Sequence, residues 1–493
     1  MKKLKSLLFA FAAVLLHACV GGNAGKCDAV VRIDADSLVS RDYIGNGVQW
    51  DPYALDYGQG RVEISDSDWE KLYARLDFMR PAFIRVMTNT TSVVRNGRLD
   101  RMRGFEHLSH ILGYCQSRGV TVMFGDWGGS LMDARTGTVN YPLLDHAAAY
   151  VAWLVGEKGY DCIRYYNLVN EPNGFWSAAD GDFDLWAKAV SYFRGRLDAG
   201  GLAGKLELVG PDAAIWGPEE AWWVSRNRDE LGDGIGLYDI HTYPSKCTVN
   251  SGEYARILQA YRKEVPAGKK IVMGEIGFKF VEPADSLLQA ENLRRAAARP
   301  NASMDDSQMF VYDYMYGTDM ADALFQTIGA GYSGCIAWML DDAMHFKEAP
   351  DKLKIWGFWN IFGDEIFGAG EERVRPWYYA WSLLCRTLRP GSDFFAVDVQ
   401  GAAGVKAIAA VKDGRHTVAV VNVSGEPRRV RIECPDWNRL EGVVRYRYGE
   451  GLMRTEGDHM LLPDATNLRI DLAAGAEYDL PGESMILLTE QND

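Results

Sequence analysis

Several familiar features are missing from this 493-residue chain. It has no basic tract, no low-complexity segment, no C-x-x-C pair and no H-E-x-x-H or H-x-H pattern. Without a lysine- and arginine-rich run there is nothing to neutralise a phosphate backbone. The formal net charge of −14 also argues against nucleic acid as a partner. Without paired histidines or cysteines no zinc site is indicated, and His107 and His110 read as one face of a helix. Cys27, Cys115, Cys162, Cys247, Cys335, Cys385 and Cys434 are scattered, and their spacings name no disulfide. Cys162 and Cys335 fall in apolar runs, where cysteine acts as a small hydrophobe.

Long apolar runs are scarce too. The N-terminal one, 7–16, is too short to span a bilayer and follows Lys2, Lys3 and Lys5. It leads into Leu16-His17-Ala18-Cys19, which resembles the lipobox of bacterial lipoproteins. That resemblance implies a signal peptide over 1–18 and a mature chain held to a membrane by a lipid on Cys19. The glycine-rich residues after Cys19 read as a tether. Which membrane face the anchored protein occupies stays open.

What the chain does contain is a folded-protein composition, 47% hydrophobic and 24% charged, with 15 tryptophans and 24 tyrosines. Most such rings fill cores. Exposed ones also stack on the C–H faces of pyranose rings, so Trp176, Trp216, Trp222, Trp223, Trp356 and Trp359 are candidate cleft residues.

Eight short strand-like runs alternate with amphipathic helical stretches, at 44–50, 83–87, 120–124, 163–169, 206–210, 237–241, 271–275 and 334–339. That alternation predicts a (β/α)8 barrel over 42–389. The long interval between the last two runs includes a polar stretch, 283–306, a candidate lid or wall on the active-site face. After Arg389-Pro390-Gly391 the pattern becomes short alternating strands with turns, predicting an antiparallel β-sandwich over 390–493. Residues 19–41 read as tether plus a possible extra sandwich strand at 30–33.

Two glutamates follow the fourth and seventh runs directly, in Asn170-Glu171-Pro172 and Gly274-Glu275-Ile276-Gly277. Strand ends on one barrel face bring distant side chains together. Two carboxyls about 5–5.5 Å apart suit retaining glycoside hydrolysis, one as acid and base, the other as nucleophile. Asn170 is placed to meet the substrate 2-hydroxyl. Other strand ends add Arg85, Asp126-Trp127, His241, Tyr243 and Trp338. Tyr243 is expected to donate to Glu275, His241 to contact the acid or the sugar, and Trp338 to floor the site. Arg85 is expected to hold the nucleophile's pKa low, and Asp126 and Trp127 to touch substrate.

These residues resemble the clan A retaining glycoside hydrolases, over roughly 42–389. In that clan a fourth-strand Asn-Glu supplies the acid/base and a seventh-strand Glu the nucleophile, which assigns Glu171 and Glu275. The resemblance implies double displacement on a β-linked glycan with no metal or cofactor required, and the density of tryptophans in candidate top-face segments favours a polysaccharide or oligosaccharide cleft and endo-action. It leaves the individual family unassigned. The rival readings are a non-catalytic glycan-binding lipoprotein, a transglycosidase using the same site, and a metal-dependent barrel hydrolase.

Overall fold

The computed structural model describes residues 27–53, 63–345, 353–437 and 439–491. The segment read as a signal peptide, Cys19 and the glycine-rich residues after it lie outside the described residues. Among the described residues no helix is long and apolar enough to cross a membrane.

Eight parallel strands close into a barrel in sequence order: Gly45–Gln49, Phe83–Thr88, Thr121–Asp126, Ile163–Asn167, Glu207–Ile215, Leu237–Thr242, Lys270–Ile276 and Gly334–Ala337. They are buried along almost their whole length, because helices cover the outside and side chains fill the inside. The longest covering helices include Asp66–Met79, Phe105–Arg118, Phe183–Ala199 and Tyr314–Gly329. Residues 283–306 contribute the helix Ser286–Ala298, preceded by a short 3-10 turn.

Inside the barrel the side chains change character with height. Phe83, Met123, Val209, Leu237, Val272 and Ile336 form a separate apolar cluster. Two residues further along their strands come Arg85 and Asp239, and His241 follows two beyond Asp239. The two-residue period of a strand thus carries an apolar plug into a charged upper layer.

The C-terminal unit is one nine-stranded sheet, not a purely antiparallel one. Its N-terminal contribution is larger than the four residues expected. Ala29–Ser40 lies between Asp393–Gly401, antiparallel to it, and Arg428–Glu433, parallel to it. Residues from both ends of the sheet, Val443 and Ile470 at one and Val430 and Leu480 at the other, share a single apolar cluster, so the sheet curls over its own core. In Arg415–Asn422, Val418 and Val420 face that core, whereas Ala419 and Val421 join the barrel's cluster. Burial on both faces explains why this strand reads as an unbroken apolar run.

Candidate active site

Glu275 reaches the barrel interior through a bulge. Ile240 pairs with Met273, but His241 pairs with Glu275, so Gly274 is skipped in the register. A side chain at 274 has no room, since a Cβ there would lie 2.0 Å from an Asp239 carboxylate oxygen. The Gly274 N–H instead donates to Asp239 Oδ1 at 2.7 Å. A bulge that re-aims the next side chain is a frequent device beside active sites.

The Glu275 carboxylate is buried and held on both oxygens. Arg85 Nη1 donates to Oε2 at 2.9 Å, and the Tyr243 hydroxyl donates to Oε1. Burial is the largest influence on this group and raises its pKa above the ordinary glutamate value. Glu171 pushes the same way, while His241, Arg85 and the Tyr243 bond pull it down. The expectation that Arg85 would hold this carboxyl low is therefore corrected, because desolvation outweighs the guanidinium.

Glu171 sits in a contrasting place. It follows the fourth strand at φ 48°, in the left-handed region that a branched-off side chain rarely adopts. Its own N–H donates to Asp212 Oδ2 at 3.2 Å. Its carboxylate is partly exposed. Oε1 lies 3.2 Å from His241 Nδ1, and Oε2 accepts from Trp176 Nε1 at 2.7 Å. Oxygen atoms of Glu171 and Glu275 and a nitrogen of His241 all lie within 4.8 Å of one another. Two like charges at that separation repel by roughly 3 kcal/mol at an effective dielectric of about 20, so cations are needed between and behind them.

Arg85 and His241 are those cations. Arg85 is fully buried and reaches Gln49 Oε1 at 3.1 Å, Asn170 Oδ1 at 2.7 Å and Asp212 Oδ2 at 3.2 Å besides Glu275. Burial opposes its charge, but Asp212 and Glu275 more than restore it. His241 Nε2 lies 3.0 Å from Asp212 Oδ1, an ion pair that falls short of hydrogen-bond geometry. Burial works against a charge on His241 as well, yet Asp212 carries its pKa well above the usual histidine value. Asp212 itself stays ionised: burial opposes this, and His241 and Arg85 prevail. Behind it, burial pushes Asp239 up to about 7, with Asp212 adding to the rise. Arg85 and His241 thus stand among the carboxylates of Asp212, Glu171 and Glu275.

A cavity of about 520 Å³ opens over the two glutamates. Asn170 lines it, and because its Oδ1 accepts from Arg85 its Nδ2 remains to donate to a ligand. Trp338 and Trp127 meet edge to face at 6.2 Å on its wall, and His345 stacks on Trp338 at 5.2 Å. On the other side, the Lys279 ammonium stands 4.7 Å from the Tyr243 ring centre, and Lys354 pairs with Asp306 at 2.9 Å.

Most of the sequence-predicted residues meet here: Glu171, Glu275, Asn170, Arg85, His241, Tyr243, Trp338 and Trp127. Asp126 does not. Its carboxylate accepts from Thr90 N–H at 2.6 Å and Gly128 N–H at 2.6 Å and pins two loops instead. Of the six candidate cleft tryptophans, Trp223, Trp356 and Trp359 are buried, and Trp222 packs on Trp223 and Phe183. Trp176 and Trp216 do line the cavity. Of the 283–306 stretch, Asp306 reaches the cavity wall. Asp212, Asp239, Asn167, Gln49 and His345 were not anticipated. Asp212 is the most consequential. The fifth strand runs on through Gly210-Pro211 to Ile215, past the point where its apolar run stops.

Among the described residues, two groups bring donor atoms within 4.8 Å of one another as a metal would need, Glu171–His241–Glu275 and Asp212–Asp239–His241. Both depend on His241, whose pKa Asp212 carries well above the usual histidine value against the effect of burial, and Arg85 already lies against Glu275 and Asp212. That donor set does not fit a divalent ion, which requires neutral imidazole.

No protein-family model matches the chain, and no curated protein matches it. Solved structures do. A GH30 endoxylanase from Clostridium papyrosolvens C71 is 13% identical, with a TM-score of 0.63 over 94% of this chain and 99% of that one. An α-L-arabinofuranosidase from Thermotoga maritima is 14% identical, with a TM-score of 0.60 over 94% and 99%. A GH39 β-xylosidase from Caulobacter crescentus is 15% identical, with a TM-score of 0.57 over 93% and 99%. The chain has the fold of these glycoside hydrolases, barrel and appended sheet together.

Proposed function

We propose that this protein is a retaining glycoside hydrolase acting on β-linked oligosaccharides or polysaccharides. The observation that carries the reading is the pair of glutamates at the ends of the fourth and seventh barrel strands. Their oxygens lie within 4.8 Å, one clamped by Arg85 and Tyr243 and the other facing an open cavity. In this mechanism an ionised Glu275 attacks the anomeric carbon while a protonated Glu171 delivers its proton to the departing oxygen. Once Glu275 is esterified its charge is gone, and Glu171 takes a proton from water to release the sugar. Arg85 and Tyr243 aim the nucleophile, and Asn170 Nδ2 is placed for the 2-hydroxyl, where positive charge grows in the transition state.

The solved structures sharing the fold include an endoxylanase and a β-xylosidase, so xylan and xylo-oligosaccharides head the substrate panel. Endo-action is part of the proposal, as is export with a lipid on Cys19. Hydrolysis of aryl β-glycosides and polysaccharides by wild type and Glu275→Ala, with the product anomer followed by NMR, tests the activity. Turnover by wild type alone with the β-configuration retained supports it. Inversion, or equal turnover by both proteins, sinks it. Metabolic labelling with a radioactive fatty acid tests the anchor, since Cys19→Ser must lose the label.

A further inference from the structure

A second cavity, of about 670 Å³, lies beside the first and shares Trp176 with it as a common wall. Its other walls come from the loop after the fourth strand, with Phe175, Ser177 and Asp180, and from a small hairpin after the third strand, Met132–Asp133 paired with Thr138–Val139. Both pieces are held in place. Ala134 N–H donates to the Ala178 carbonyl at 3.1 Å, joining hairpin to loop. Gly174 N–H returns to the Glu171 carbonyl and Gly181 N–H to the Pro172 carbonyl, each at 3.0 Å. Asn173 ties the loop to the fifth strand through both its amide atoms, at 2.7 and 2.9 Å from Ala214.

The rings along this path are exposed although the scaffold is ordered. Phe175 is 83% exposed, Trp176 47% and Trp216 52%. Phe175 meets Trp176 edge to face at 4.9 Å, and Trp176 meets Trp216 at 5.9 Å. Three successive rings therefore run from the inner cavity to the outer one. Large apolar side chains left in solvent on a fixed framework mark a binding surface. Here they are interleaved with polar groups, Asn140, Asp133, Arg135 and Asp180, in the proportion that a hydroxylated ring requires.

Chemistry sets the direction. The leaving group must depart toward the acid, and Glu171 points its Oε2 at Trp176. The outer cavity therefore adjoins the acid across Trp176. We infer that the outer cavity is a subsite for the leaving-group portion of an extended glycan, with Phe175 and Trp176 as its sugar-stacking platforms. This deepens the glycosidase reading and rests on it. It implies that chains long enough to cross Trp176 are better substrates than short ones, and that cleavage occurs within a chain.

The experiment compares kcat/KM for an aryl β-glycoside, whose phenol stops in the inner cavity, with kcat/KM for unlabelled oligosaccharides of increasing length. Wild type and Phe175→Ala are measured side by side. For wild type kcat/KM should climb with length. In Phe175→Ala the ratio of long-chain to aryl-glycoside kcat/KM should fall about tenfold, mostly through KM. Deletion of the 133–138 hairpin tip should lower the same ratio. A flat length dependence, or an equal loss on both substrates, overturns the subsite while leaving the glycosidase reading intact. Absence of any glycoside hydrolysis by wild type defeats both.

Discussion

The two glutamates are chemically identical and sit in opposite surroundings. Glu275 is delivered by a bulged strand into a buried layer, where Arg85 and Tyr243 hold its two oxygens. Glu171 stands on a strained turn at the lip, touching a buried imidazolium on one oxygen and a half-exposed indole on the other. The first region is packed on every side but the cavity, an arrangement that suits the nucleophile of the proposed mechanism. The second is rigid beneath and open above, as a group needs that must meet a leaving sugar and then a water. In the proposed mechanism the division of labour between like residues is thus set by burial and partners and not by residue type.

The comparison breaks most completely at the nucleophile. Glu275→Ala should lower kcat by about 10⁴-fold or more on every substrate, whatever the leaving group. Adding azide should restore turnover and give the glycosyl azide of opposite anomeric configuration, because the small anion attacks from the vacated side. Azide rescue with the same configuration as the natural product would assign the nucleophile elsewhere.

Glu171→Ala should behave differently. Its loss should depend on how much the leaving oxygen needs a proton, about 10² to 10³-fold for an oligosaccharide and far less for a dinitrophenyl glycoside. Burst kinetics on the activated substrate should then reveal an accumulating glycosyl-enzyme, since the second step has lost its base. An equal loss on both leaving groups would mean that Glu171 acts only through structure.

Tyr243→Phe sharpens the contrast with a pH readout. The nucleophile works ionised, so activity disappears as pH falls through the Glu275 pKa, which already lies above the ordinary value. The Tyr243 bond is one of the influences lowering it, and without the hydroxyl that pKa rises further. The acidic limb of kcat/KM should therefore move to higher pH, with about a tenfold lower plateau. A limb that stays in place, or moves to lower pH, would separate Tyr243 from the ionisation of Glu275.

Much of this was legible in the sequence because strand ends of a barrel are where chemistry is placed. Asn170 and Glu171 directly follow an apolar run, Glu275 closes another, His241 and Tyr243 lie at or just after the end of a third, and Arg85 sits within a fourth. The same rule misled at Asp126. It too ends a strand, but the loop N–H groups of Thr90 and Gly128 capture its carboxylate first, and no pattern in the sequence announces those loops. Asp212 was hidden for the opposite reason, since a strand continuing through Gly-Pro looks finished. The direction of the Glu275 shift was misjudged because Arg85 can be read from sequence, whereas the completeness of burial cannot. The nine-stranded sheet was visible as strands, but the insertion of Ala29–Ser40 at an interior position depends on pairing between segments more than 350 residues apart.

The smallest predicted effect tests the open side of the site. Trp176→Phe keeps a ring at the wall between the two cavities and removes only the indole N–H that donates to Glu171 Oε2. A hydrogen bond to a partly exposed carboxylate contributes about 1 kcal/mol, so kcat for an aryl glycoside should fall about fivefold. Because the ring remains, KM for long chains should change little. Trp176→Ala removes ring and donor together, and should add to the fall in kcat a rise in KM that grows with chain length. If the two variants behave alike on every substrate, the indole serves Glu171 alone and the path across it carries no sugar. If Trp176→Phe is silent while Trp176→Ala loses only long-chain binding, the hydrogen bond is incidental and the ring is a platform. The contrast between a clamped nucleophile and a freely approached acid would then be greater than the structure of the free protein displays.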